Sequence, residues 1–183
     1  MNNNKKQICH RFSKQQGAVL VVSLFLLLIM TLTVVASMKS SILEEKMAGN
    51  QRDRTIAFQA AESALRGAEF WMGEQTTAPD PTTDGSSTIW TLNGPNDGSG
   101  GNWWNQHNQA WWQSSGIQYS TPLPEVTQSP RYLIEQQQYI KDSLNVGKSQ
   151  DEHGRQFYRI TTQATGGTEN ASVTLQTSYA KRK

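Results

Sequence analysis

Cysteine is almost absent from this sequence: Cys9 is the one example in 183 residues. It sits in a basic leader, so a chain that loses the leader has no thiol and can close no disulfide. Histidine is nearly as scarce. Of the three, His10 lies in the leader, and His107 and His153 stand far apart without companions at metal-ligand spacing, which argues against zinc. Asp80, Asp84 and Asp97 occupy Gly-rich loops that calcium could visit, yet they lack the spacing of an EF-hand. Asp151-Glu152-His153 reads as a solvated loop. No Gly-rich phosphate loop follows a strand, and no nucleophile stands with a base. These gaps predict a protein that is no enzyme and has no cofactor or metal.

Acidic residues are missing from residues 1–17, where Lys5, Lys6, Arg11 and Lys14 carry all the charge. Of 17 bases in the chain those four lie in the leader, so the remainder holds fewer bases than its 15 acids. A weakly acidic body excludes nucleic acid, whose phosphates require a basic face. The basic leader instead suits the cytoplasmic flank of a membrane segment. Apolar residues are also sparse, at 36%, and one run holds many of them. That leaves room for one modest folded domain built on few aliphatics and on six Trp, most of them clustered.

The apolar run, AVLVVSLFLLLIMTLTVVASM from Ala18 to Met38, carries no charge. A helix crosses a bilayer in about 20 residues. An ordinary secretion signal would be cut after Val34-Val35-Ala36, but its apolar core would be overlong and the helical pattern continues past it without a turn signal. A cut between Gly17 and Ala18, where a narrow residue enters a protease at the membrane face, would leave the apolar helix on the product. Gly17 reads as the processing site.

A short basic leader ending in Gly, followed by AVLVVSLFLLLIMTLTVVAS, resembles the class III leader of type IV pilins and pseudopilins. The continuation LEEKMAGNQRDRTIAFQAAESALRGAE resembles PilX-type minor pilins, as do PRYLIEQ and FYRITTQATGGTENASVTLQTSY near the other end. Residues 76–130 contribute nothing to the likeness. It implies cleavage after Gly17 by a prepilin peptidase, N-methylation of Ala18, and packing of the exposed helix with other minor pilins and the major pilin. A tip adhesin is a further implied partner. The protein would stand in the inner membrane with its body periplasmic, then in the extracellular pilus. One position departs from the pattern: major pilins carry Glu as the fifth mature residue, and Val22 stands there. A carboxylate buried in a bilayer costs roughly 2.5–3.5 kcal/mol and needs a partner. In the family that partner is thought to be the amine of a subunit ahead, so Val22 suits a subunit with none ahead of it, at or near the tip. The alternative reading is that Val22 is one more lipid-facing aliphatic in a membrane helix.

The chain thus divides into a leader at 1–17, a membrane or filament-core helix at 18–38, an amphipathic continuation at 39–75, a Trp/Gly/Asn-rich region at 76–130 and a β region at 131–183. No Pro interrupts Ala18 to Met72, and Phe58, Ala61, Leu65, Ala68 and Met72 recur at spacings of three and four, predicting one apolar stripe against a sheet. Gly49 is either a hinge or a Gly tolerated at a crowded contact. Trp103-Trp104 and Trp111-Trp112 either fill the gap between helix and sheet or form an exposed surface for docking at the tip. After Pro130, alternation from Tyr132 to Gln136 and a hairpin around Gly166-Gly167-Thr168-Glu169-Asn170 predict at least three antiparallel strands. The expectation is an α+β fold of the pilin type, without the disulfide loop that commonly closes it. Besides a minor pilin that primes assembly, two other readings stay open: a bitopic membrane-anchored adhesin, and a tip pseudopilin of type II secretion.

Overall fold

A computed structural model of the chain describes residues 17–95, 102–142 and 154–182. Expectations resting on residues 1–16, on Asp97 and on Asp151-Glu152-His153 fall outside the described residues. The chain parts into two compact units between Met47 and Ala48. One helix, α1 (Ala18–Glu74), supplies the described part of the first unit after Gly17 and the opening of the second.

Within the first unit every described helical side chain is exposed, and the run from Ala18 to Met38 is apolar on all sides. Its few hydroxyls are satisfied locally. Ser23 Oγ donates to the Leu20 carbonyl at 2.9 Å, Thr31 Oγ1 to Leu28 at 2.8 Å, Thr33 Oγ1 to Met30 at 2.8 Å and Ser37 Oγ to Thr33 at 3.0 Å. Such back-bonding removes the penalty a free hydroxyl would carry in hydrocarbon.

The second unit stacks three layers. Its helical layer is the remainder of α1, whose buried residues are Ala57, Ala60, Ala61, Ala64, Leu65, Ala68 and Met72. The Ala-rich stripe lets the helix approach the sheet closely. Phe58 does not belong to it, being 50% exposed. At about 100° per residue the stripe centres on Ala57, Ala61, Ala64 and Ala68, which places Phe58 on its flank. Ala57 and Ala64 are buried in its stead.

The middle layer is a sheet ordered β1–β3–β4–β5: β1 (Ile89–Trp90), β3 (Arg131–Lys141), β4 (Gly154–Thr165) and β5 (Ser172–Arg182). A second short strand, β2 (Ile117–Gln118), also pairs with β3. All pairings are antiparallel except β1 with β3. The β4–β5 register runs unbroken from Arg155↔Arg182 to Thr165↔Ser172, so the turn includes Ala171 beyond the residues expected for it. Between β3 and β4 the register shifts between Gln136 and Tyr139, a bulge that re-phases the pair. Tyr132, Ile134, Tyr158 and Ile160 form a cluster with Ala68 and Met72 on the helix side, joined by Ile89.

The third layer covers the opposite face of the sheet. Leu133, the neighbour of Tyr132 and Ile134 and therefore on the other side of the pleat, packs with Trp90, Trp103 and Trp112. The tryptophans thus do not fill the gap between helix and sheet. They form a separate lid, and β3 is buried on both faces as a result, from Tyr132 to Glu135.

Candidate assembly interface

The lid is built locally by turn chemistry. Trp103 and Trp104 lie on a single 3-10 turn, Trp103–Asn105. Trp111 and Trp112 lie on α2 (Gln109–Ser115), which starts where the Asn108 side chain accepts from the Trp111 N–H at 3.0 Å. The rings meet edge to face or tilted, with centroids 5.6–5.9 Å apart. His107 stacks on Trp111 at 3.8 Å and donates from Nε2 to the Pro95 carbonyl at 2.9 Å. Trp103 and Trp112 are wholly buried, which closes a docking role to them; Trp104 and Trp111 remain partly exposed.

The lid is tied to the sheet by one buried carboxylate that the sequence did not single out. Glu135 on β3 is fully buried and stands across from Arg159 on β4. Arg159 grips it with two bonds, Nε to Oε2 at 2.8 Å and Nη2 to Oε1 at 3.0 Å. Oε1 also accepts from Trp103 Nε1 and from the Asn93 N–H, each at 3.2 Å. The guanidinium lies 4.9 Å over the Trp104 ring. A charge taken out of water is tolerated only with such full pairing. The signal for it in the sequence is a Glu interrupting an apolar strand, which reads equally well as an ordinary solvent-facing position.

Two further contacts fasten the helix to the far end of the sheet. Asp53 on α1 accepts from the Thr168 N–H at 3.1 Å and from the Thr168 hydroxyl, in the β4–β5 turn. Those bonds, the Thr168 hydroxyl foremost, hold its carboxyl below the ordinary range. A side chain at Gly166 would strike Asp53, so the turn needs Gly to come this near. At the other end α1 has no basic residue in its last turn, and Lys181 from β5 supplies the cation instead. Its Nζ donates to the Met72 carbonyl at 2.6 Å and to that of Gln75.

Ahead of these residues in the chain lies the apolar part of α1. Helix α1 begins at Ala18, directly after Gly17, and no other described residue lies within 4 Å of where a Gly17 side chain would stand. The bond expected to be cut thus immediately precedes the first residue of the helix. Val22 is 56% exposed and shares an apolar patch with Ala18, Val19, Ser23 and Leu26. Gly49 also has open space around it, so no crowded contact among the described residues explains its small size. Among the described residues, no three His, Cys, Asp or Glu side chains gather as a metal site would require.

A helix apolar on every side, long enough to cross a membrane, continuing into a domain where its second half backs an antiparallel-rich sheet, defines a pilin-like subunit. The PilX N-terminal family matches residues 16–66, and the family described as type IV pilus assembly protein PilX C-term matches residues 51–181. The chain belongs to the PilX family and is a minor pilin of a type IV pilus. No curated protein and no solved structure matches it.

Proposed function

We propose that this minor pilin primes pilus assembly and sits at or near the pilus tip, joined through its apolar helix to other minor pilins and to the major pilin. Val22 carries the reading. A Glu at that place would be stranded in hydrocarbon unless a subunit ahead offered an amine, at a cost of roughly 2.5–3.5 kcal/mol. An aliphatic side chain there removes the need for a subunit ahead. Before assembly the helix spans the inner membrane with the body in the periplasm; afterwards it lies in the filament. A prepilin peptidase would cut between Gly17 and Ala18 and the new amine would be methylated. Gly49 would let the apolar half of the helix bend as it enters the filament. The test is Val22→Glu in a piliated strain, with surface pili counted and the subunit located by immunogold. Fewer pili, or label moved from tip to shaft, supports the reading. Unchanged number and position would refute it.

A further inference from the structure

We propose that a cavity beyond the carboxyl end of α1 binds one ring of a neutral sugar. The cavity measures about 250 Å³, smaller than the roughly 300–1,000 Å³ of sites that take drug-sized ligands. Gln136 on β3, Gln156 and Tyr158 on β4 and Lys181 on β5 line one side, and the loop at 76–81 lines the other. Pairing sets Gln136 across from Tyr158 and Gln156 across from Lys181, so the four share one face of the sheet. On that face Ile134 and Tyr158 pack with Met72 of α1, and the cavity begins where the helix stops. Two of its side chains still have bonding capacity. Tyr158 is 5% exposed and Gln156 6%. The Tyr158 hydroxyl and Gln156 Oε1 have no partner among the described residues, yet neither is sealed off as the Trp112 indole N–H is. The opening each of them has is the cavity it lines.

The charges around the cavity are already engaged, which decides against an ionic ligand. Lys181 Nζ donates to the carbonyls of Met72 and Gln75, and Arg182 pairs with Asp142 at 3.3 Å. Asp80 is exposed, where water solvates its carboxylate. What is enclosed is neutral. A phenol hydroxyl and two primary amides each donate and accept, and so does every hydroxyl of a sugar. Gln156 is held in place for this: its Nε2 donates to the Gln137 and Phe157 carbonyls at 3.1 and 3.3 Å, which leaves Oε1 to accept. Ala78, Pro79 and Pro81 add apolar lining for the C–H face of a pyranose. An extended peptide fits less well. It binds a sheet through free backbone groups at an edge, and here β4 is paired on both sides. Only side chains rise from this face, and a compact polyol meets them with hydroxyls on several sides.

The test titrates the full chain, held in a zwitterionic detergent without a sugar headgroup, and reads binding by saturation-transfer NMR. The probes are D-glucose, D-galactose, D-mannose and N-acetyl-D-glucosamine. At least one should saturate with a Kd of about 1–10 mM. Glucuronate and glucosamine, charged rings of similar size, should bind at least about tenfold more weakly than that sugar. So should N-acetylglycinamide, which carries the amide chemistry of a peptide. Tyr158→Phe and Gln156→Met on β4, and Gln136→Leu on β3, should each raise Kd at least about tenfold, with Tm read alongside to show that the variant folds. Trp111→Ala, in the lid on the opposite face, should leave Kd unchanged. No saturable signal from any neutral ring, tighter binding of a charged ring or of the amide, or a Kd moved by Trp111→Ala and not by the cavity variants would overturn the proposal. It is independent of the tip position, since nothing in it depends on Val22.

Discussion

Glu135 shows what a single residue does in this domain. It is the buried charge to which Arg159, Trp103 and the Asn93 backbone all attach, and so it orients the aromatic lid on the sheet. Removing it leaves a mostly buried guanidinium unpaired, and Glu135→Ala should cost about 3–5 kcal/mol. Urea titration of the full chain in detergent, followed by Trp fluorescence, measures this. Glu135→Met with Arg159→Leu should recover part of that loss but not all, because Trp103 Nε1 and the Asn93 N–H still lose their acceptor. Asp53 makes a second residue-scale prediction. Its folded pKa lies below the unfolded value, so its contribution is fully present above the unfolded pKa and fades as pH falls through the folded one. Asp53→Asn should therefore flatten the acid limb of the Tm-versus-pH curve while changing its shape little near neutrality. Neither role was legible in the sequence. Glu135 falls on an alternating strand as any exposed Glu would, and the partner of Asp53 lies on the distant β4–β5 turn.

At the scale of elements, pattern found the helix, the hairpin and the start of β3, because each is written in local periodicity. It misjudged what depends on neighbours. Periodicity admitted Phe58 to the stripe since it stands at helical spacing from Ala61 and Leu65; closeness of packing selects the alanines. The tryptophans stand out as a cluster in the sequence, but a row of rings does not say which face of a sheet it covers. Nothing in the local sequence around Lys181 tells that it caps the carboxyl end of α1. Lys181→Met keeps the stem and removes the charge, and should cost about 1–2 kcal/mol in the same urea titration. Gly85 tests the lid entrance: its φ is +71° and a Cβ there would strike the Trp90 ring. Gly85→Ala should thus destabilise by about 1–3 kcal/mol or more, seen as a lower Tm.

For the molecule as a whole, an apolar helix and a small α+β body were both readable, since the helix is defined by charge-free length and the body by its strands and stripe. The family match covers the two together. The proposed role rests on that helix being retained after a cut beside Gly17, because a subunit without it would have no apolar helix to pack into a filament. The most direct measurement is the mass and N-terminal sequence of the mature chain recovered from membranes and from sheared pili. The account predicts a chain that starts at a methylated Ala18 in both fractions. An intact leader, or a start at Ser37 beyond the apolar run, would contradict it.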